Sequence, residues 1–190
     1  MLLPSSCPAC RRVGPAPCVR CSSRLRPPPV LPVPPGLDSY VALMAYDDVA
    51  ATIIRRLKYS NHRDALPRLA EALAVRLGPV AFDQLTWVPS TAGHRRSRGF
   101  DQGELLARRL GRPERLLRRT DARPQTGRSR ADRLAGPSFE ALAPVSGTVL
   151  LVDDVRTTGS SLSAAARVLR SAGASSVIGA TLAARAVASA

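Results

Sequence analysis

The sequence is poor in aromatic residues and has no long hydrophobic run. It contains three Phe, three Tyr and one Trp among 190 residues. Every apolar stretch is interrupted by Pro, Asp or Arg before it reaches the roughly 18–20 residues that cross a bilayer, which excludes a membrane-spanning segment. Residues 1–4 lack the basic start and apolar length of a secretory signal, so we expect a cytoplasmic protein. The hydrophobic fraction of 45% excludes a wholly disordered chain.

Lysine is nearly absent too, so arginine carries almost all of the positive charge. Lys58 is the only lysine, and the formal net charge is +14. Ten arginines and three acids lie between Arg108 and Arg133. This surplus indicates anionic partners such as phosphates, pyrophosphate or nucleic acid, although compositional bias and solvated surface also produce it. Because aromatic residues are scarce, a nucleic acid would be bound through its backbone rather than by base stacking.

All four cysteines lie within the first 21 residues, in two CxxC pairs: Cys7, Cys10, Cys18 and Cys21. Four thiolates on two tight turns suit a tetrahedral Zn²⁺ ion, and four protein ligands leave no open position, so the metal is expected to be structural. The alternative is that the cysteines form two disulfides or remain free thiols. A reducing cytosol disfavours the disulfides.

A proline-rich segment separates the cysteines from the rest of the chain. Residues 27–36 contain six prolines, which exclude a helix and favour an extended, semi-rigid spacer. The sequence therefore predicts a four-cysteine zinc knuckle over 1–26, a linker over 27–36 and one main domain over 37–190.

The main domain alternates between helical and strand-like patterns. We predict a helix capped by Asp47, a helix over 66–77, and a helix that begins after Asp101. A further helix starts at Ser160 or Ser161 and ends at Gly173. The predicted strands cover residues 84–88, 148–152 and 176–182. This alternation indicates an α/β fold in which helices flank a parallel sheet.

One segment stands out because a predicted buried strand runs directly into two acids and a hydroxyl-rich loop. Asp153 and Asp154 follow the strand, and a helix begins after the loop. Ligands of parallel sheets bind at the carboxyl ends of strands, and a helix amino terminus attracts phosphate. The loop supplies hydroxyl donors and one glycine that allows close approach: Thr157, Thr158, Gly159, Ser160 and Ser161. The acids suit sugar hydroxyls, directly or through a divalent cation, whereas the alternative is a surface acid pair before a capped helix.

This segment resembles the phosphoribosyl pyrophosphate (PRPP) motif of type I phosphoribosyltransferases. The resemblance implies that Asp153 and Asp154 bind the ribose hydroxyls and that residues 157–161 bind the 5′-phosphate. It also implies Mg²⁺ bound together with PRPP, and a type I phosphoribosyltransferase fold for residues 37–190.

A second segment, residues 87–102, narrows the resemblance to the ComF family of phosphoribosyltransferase-like proteins. It begins Trp87-Val88-Pro89, is predicted as a loop over 91–102, and has Asp101 where the family has Asn. The CxxC pairs and the stretch from Gln125 onward belong to the same resemblance. From it we expect Pro89, Arg95 and Arg98 to contact PRPP, since arginines at a strand end bind pyrophosphate through charge-assisted hydrogen bonds. A solvated basic loop is the alternative.

Residues 120–137 lie where type I enzymes have a mobile loop that closes over PRPP. By the resemblance, Arg128 and Arg133 would act in catalysis by stabilising the departing pyrophosphate, while a basic loop without catalytic function is the alternative. The implied function is the transfer of phosphoribose from PRPP to a nucleobase-type acceptor. Two alternatives stay open: an accessory protein that binds single-stranded DNA during DNA uptake, and a PRPP sensor without turnover.

Overall fold

A computed structural model of the chain describes residues 5–59, 63–120 and 137–186. The strands are β1 (Ser39–Ala45), β2 (Gln84–Trp87), β3 (Leu117–Arg119), β4 (Phe139–Ala141), β5 (Thr148–Arg156) and β6 (Ser176–Ala184). The helices are α1 (Val19–Ser22), α2 (Asp48–Tyr59), α3 (Leu66–Leu77), α4 (Ala92–Arg98), α5 (Gln102–Leu110) and α6 (Ser160–Ser171), with a 3₁₀ turn at Arg63–Ala65. Within these ranges, no helix is both long and apolar enough to cross a membrane.

The central sheet has four parallel strands in the order β1, β6, β5, β2. The carboxyl ends of parallel strands meet at one edge. The strand β5 lies inside the sheet, and its last residues extend past its pairing with β2, which ends at Val152, while they stay paired with β6. The strands β3 and β4 form a separate antiparallel ribbon.

Side chains of β5 alternate between two hydrophobic cores. Leu150 and Val152 pack on one face with residues of α2, α3 and α5. Val149 and Leu151 pack on the other face with α6. The predicted sheet flanked by helices is confirmed, and it explains why residues 148–152 form an unbroken apolar run: both faces of the strand are buried.

The predicted helices are confirmed with small differences at their ends. The Asp47 carboxylate accepts a hydrogen bond from the Ala50 N–H (3.0 Å) and so caps α2. Asp101 caps α5 by accepting from the Gly103 N–H (3.2 Å). The acid of the predicted capping box, Glu104, instead pairs with Arg108 one turn later.

Two local predictions are wrong. The strand predicted over 148–152 continues to Arg156, since Asp153, Val155 and Arg156 all keep their pairing with β6. The predicted loop 91–102 contains the helix α4. Thr91 caps this helix by accepting from the His94 N–H (3.2 Å), and Gly99 ends it in the left-handed conformation at φ +75°.

The residues that precede the sheet pack against it. Arg56 of α2 donates from Nη1 to the Pro8 carbonyl (2.6 Å), between the first two cysteines. The Arg26 carbonyl accepts from the Ala45 N–H (2.9 Å), and the Pro32 carbonyl accepts from Arg156. The proline-rich segment therefore contacts the end of β5, while the division into three domains stays a prediction.

Candidate functional site

Two adjacent carboxylates lie near the carboxyl end of β5. Because side chains alternate along a strand, Asp153 and Asp154 face opposite sides of the sheet. Asp154 lies on the side of α2, and its Oδ2 forms an ion pair with the Lys58 Nζ at 2.7 Å. Asp153 lies opposite Thr181 of β6, whose hydroxyl is hydrogen-bonded to the Tyr40 hydroxyl (2.6 Å). Two neighbouring carboxyl groups near the end of β5 therefore lie on opposite faces of the sheet.

The Asp153 carboxyl holds its proton more tightly than an exposed carboxyl does. Burial raises the pKa of Asp153 well above its usual range, and the neighbouring Asp154 raises it further. The Asp154 N–H, which donates to Asp153 Oδ1 (2.8 Å), and the Lys58 ammonium lower that pKa without cancelling the rise. Ionised Asp153 is therefore destabilising in the unliganded protein, as expected for a group that compensates its charge with a ligand.

We expect Asp153→Asn to raise the melting temperature of the unliganded protein. The pKa of Asp153 is higher in the native state than in the unfolded state, so ionising this carboxyl lowers the free energy of unfolding. This loss of stability is absent below pH ~4 and grows as the pH rises through the native pKa. The variant and the wild type should melt together in acid and diverge toward neutral pH, by about 2–4 °C for each ~1 kcal/mol. Calorimetric scans at several pH values check this, and equal melting temperatures at pH 7 would contradict it.

The hydroxyl loop connects β5 to α6. Gly159 lies at the amino end of α6 with φ +84°, a left-handed conformation that other residues adopt only with strain. No side chain caps this helix, and the Thr158 hydroxyl instead accepts from the Ser160 N–H (3.3 Å). Thr157, Thr158 and Ser160 are exposed. The amino terminus of a 12-residue helix is thus accessible to an anion, surrounded by hydroxyl groups.

Arg156, which the sequence analysis did not single out, lies against this loop and is 4% exposed. Its Nη2 donates to the Pro32 carbonyl (2.7 Å), and its guanidinium lies 4.6 Å from the centre of the Tyr40 ring. The Nε and Nη1 groups are buried without a hydrogen-bond partner in the described part of the chain. A Cβ added to Gly159 would be 3.3 Å from Nε. Because a buried cation with unused donors is costly, this arrangement points to an anion at the loop.

The turn after β2 is held by Asp101. This carboxylate is 4% exposed and accepts from the Ser90 N–H (2.8 Å), the Ser90 hydroxyl (3.2 Å) and the Gly103 N–H. Three donors to two oxygens are better served by a carboxylate than by an amide, which explains Asp at this position. Asp101 therefore fixes Pro89 and Ser90 at the end of β2 beside β5.

The two predicted PRPP-binding arginines of α4 line two different cavities among the described residues. Arg95 lines a cavity of about 310 Å³ with Trp87, Pro89 and Arg115. Arg98 lines a cavity of about 330 Å³ with Lys58, next to Asp154. Arg128 and Arg133, the predicted catalytic arginines, lie outside the described residues, as does most of the predicted mobile loop.

The four cysteines are brought together, and none of them forms a disulfide. Their sulfur atoms lie within 4.8 Å of one another, and the Sγ atoms of Cys10 and Cys18 are 3.7 Å apart. Zn–S bonds of about 2.3 Å in a tetrahedron place sulfur atoms about 3.8 Å apart, so the cluster fits zinc.

Hydrogen bonding prepares one thiol of this cluster for metal binding. Burial raises the pKa of Cys7, but backbone N–H groups, that of Cys18 first, outweigh burial and lower this pKa to about 6. Burial and the neighbouring thiols raise the pKa of Cys21 to about 12. Without metal, one thiolate thus forms at the expense of another, whereas a bound zinc ion would stabilise all four.

We expect the native protein to contain about one zinc per chain. Chelation or Cys10→Ser should release it and increase hydrogen exchange in residues 5–25, because bonds from four thiolates to one metal ion would hold these residues together. Elemental analysis and exchange measured by mass spectrometry check this. Native protein without zinc would contradict the knuckle assignment.

The described residues form an α/β protein with an acid pair and a hydroxyl-rich loop at the carboxyl edge of a parallel sheet. Residues 96–189 match the family described as the phosphoribosyl transferase domain. The predicted fold class is confirmed by this match together with the parallel sheet.

A solved structure described as the allosteric regulatory enzyme of purine biosynthesis aligns with a TM-score of 0.40 and 22% identity. The alignment covers 62% of this chain and 26% of that one. No curated protein matches the chain.

Proposed function

We propose that the chain is a phosphoribosyltransferase that binds PRPP at the end of β5 and transfers its phosphoribose to an acceptor base. The match of residues 96–189 to the phosphoribosyl transferase domain supports this class. One observation carries the assignment to these residues: the acid pair lies close to a helix amino terminus, behind which Arg156 is buried with its Nε and Nη1 unpartnered among the described residues. In a sugar that bears a phosphate, the hydroxyl groups would bind the acid pair and the phosphate would bind the helix amino terminus near Arg156.

The hydroxyl loop is proposed to bind the 5′-phosphate. Free N–H groups and the dipole at the start of α6 attract an anion, and Thr157, Thr158, Ser160 and Ser161 add hydroxyl donors. Gly159 allows the backbone to approach the phosphate closely. The charge of Arg156 strengthens the binding of any anion at the loop.

The carboxylates are proposed to hold the ribose. Asp153 and Asp154 accept hydrogen bonds from its 2′- and 3′-hydroxyls, and charge-assisted bonds of this kind are about twice as strong as neutral ones. Both acids also offer the oxygen ligands that Mg²⁺ prefers. When bound with PRPP, Mg²⁺ would supply positive charge to the pyrophosphate oxygens.

The reaction proposed here is a substitution at C1 of the ribose. The bond between C1 and the pyrophosphate oxygen breaks with its electron pair leaving on pyrophosphate, and a nitrogen of the acceptor forms the new bond to C1. The protein contributes positioning and charge: the acids fix the sugar, and arginines stabilise the leaving pyrophosphate. We assign Arg95, at the Pro89 turn, and Arg128 and Arg133 to this last role.

Titration of the purified protein with PRPP, with and without Mg²⁺, tests the proposal, followed by a screen for pyrophosphate release with different nucleobases. We expect binding that requires Mg²⁺ and release with at least one base. An absence of PRPP binding would contradict the function.

The narrower resemblance to the ComF family remains part of the proposal, and so do its two alternatives. A PRPP sensor would bind PRPP in the same titration without releasing pyrophosphate. A protein that binds single-stranded DNA would show an affinity that falls steeply with salt concentration, because phosphate contacts release counterions.

A further inference from the structure

A cavity of about 330 Å³ lies beyond the Lys58–Asp154 ion pair. It is lined by Lys58, Tyr59, Arg63, Ser97, Arg98 and Phe100. Lys58 lines this cavity and also forms the ion pair with Asp154. The cavity is therefore separated from the proposed ribose position by one side chain. Its volume is at the lower end of small-molecule sites, which measure about 300–1,000 Å³, so it accommodates one ring system rather than an oligonucleotide.

Flat surfaces dominate this cavity. The Arg98 guanidinium lies 4.6 Å from the centre of the Tyr59 ring, and the Arg63 guanidinium lies 4.1 Å from that of Phe100. Tyr59 is 62% exposed, so its ring has no protein covering on much of its surface. A guanidinium group that lies over an aromatic ring can still donate hydrogen bonds through those N–H groups that are not already used, so it can contact the edge of a planar ligand.

The lining residues donate hydrogen bonds and carry positive charge. Of the six lining residues that the structure describes, three are cations and none is an acid. The Nε of Arg98 is buried with no hydrogen-bond partner among the described residues, while its Nη2 donates to the Tyr59 hydroxyl (2.6 Å). The Ser97 hydroxyl already donates to the His94 carbonyl (3.1 Å). The cavity thus offers many donors and few acceptors, so it suits oxygen-rich ligands and disfavours amino groups.

We propose that this cavity binds the acceptor, and that the acceptor is a nucleobase with carbonyl or carboxylate oxygens rather than an aminopurine. This inference rests on the proposed function and gives Arg98 a contact to the base instead of to PRPP. A ring nitrogen of the base bonds to C1 as the C1–oxygen bond breaks, and the proton of that nitrogen passes to the departing pyrophosphate. Arg63 and Arg98 select the base through its oxygens.

Binding of product nucleotides tests the proposal without turnover. The probes are orotidine and xanthosine 5′-monophosphates, which present oxygens, adenosine 5′-monophosphate, and ribose 5-phosphate as the reference. We expect the two oxygen-rich nucleotides to bind at least about 10-fold more tightly than adenosine 5′-monophosphate, since one bidentate pair discriminates between bases by ~1–3 kcal/mol. Arg63→Gln and Arg98→Gln should each lower the affinity for orotidine 5′-monophosphate about 10-fold and change the affinity for ribose 5-phosphate by no more than about twofold.

Arg109→Gln, an exposed arginine of α5, is the matched control and should change none of these affinities. Equal binding of all three nucleotides would overturn the inference while leaving the proposed function intact. The inference would also be overturned if Arg98→Gln lost more affinity for inorganic pyrophosphate than for orotidine 5′-monophosphate, because the cavity would then be a pyrophosphate site. Failure of ribose 5-phosphate to bind the wild type would overturn the proposed function and this inference together.

Discussion

We expect that replacing Asp153 and Asp154 together by Asn abolishes the Mg²⁺-dependent binding of PRPP. Each carboxylate is expected to accept a charge-assisted hydrogen bond from a ribose hydroxyl, worth about 1.5–3 kcal/mol or about 10- to 100-fold in affinity. Loss of both should weaken binding by at least about 100-fold. Isothermal titration calorimetry measures the affinity, and far-UV circular dichroism verifies that the double variant is folded.

The single variants separate a ligand role from a structural one. Both variants should bind PRPP more weakly than the wild type, yet they should change the free energy of unfolding in opposite directions. Asp153→Asn removes a charge that burial disfavours, whereas Asp154→Asn leaves Lys58 without its partner at 2.7 Å and lowers the stability by ~1–3 kcal/mol. Asp48→Asn, an exposed acid of α2, is the control. Unchanged PRPP affinity in both single variants would show that the acids serve the fold alone.

Arg156→Met is expected to weaken PRPP binding by about 10-fold or more without loss of stability. Methionine retains the apolar contacts of the side chain and removes a buried charge whose Nε and Nη1 have no partner in the ranges that the structure describes, and such replacements are often neutral or stabilising. The loss in affinity follows because the positive charge beside Gly159 disappears. Calorimetry with PRPP and thermal melts of the same samples measure both effects.

Two further variants make the Arg156 result specific. Arg156→Lys keeps the charge but loses the planar contact with Tyr40, so its PRPP affinity should fall between those of the wild type and Arg156→Met. Arg167→Met, an exposed arginine of α6, should leave PRPP affinity unchanged. If Arg156→Met destabilised the protein and bound PRPP normally, Arg156 would serve only to hold the proline-rich segment through Pro32.

Local sequence patterns were sufficient for four of the helices, α2, α3, α5 and α6, and for the position of the hydroxyl loop. The cap at Asp47, the helix after Gly159 and the apolar run of β5 each depend on residues within one or two turns of the chain. The edge strand β1 was not predicted, because its pairing with β6 joins residues about 140 positions apart. The helix α4 was missed because three arginines and a glycine looked like a loop, although Thr91 and Gly99 are recognisable end signals.

The contacts that give the site its chemistry were beyond local patterns. Lys58 and Asp154 are 96 positions apart, and the ring contact of Arg98 with Tyr59 also depends on tertiary structure. Arg156 directly precedes the loop, but only its burial against Tyr40 and Pro32 distinguishes it from the many solvated arginines of this chain. The one usable signal was Lys58 itself, a single lysine in a chain that otherwise uses arginine.

A crystal structure with PRPP and Mg²⁺ bound is the most direct measurement. It should place the sugar hydroxyls within hydrogen-bond distance of the carboxylates of Asp153 and Asp154, and the 5′-phosphate at the first turn of α6. Density for the compound anywhere else on the protein, with that turn left empty, would contradict the account.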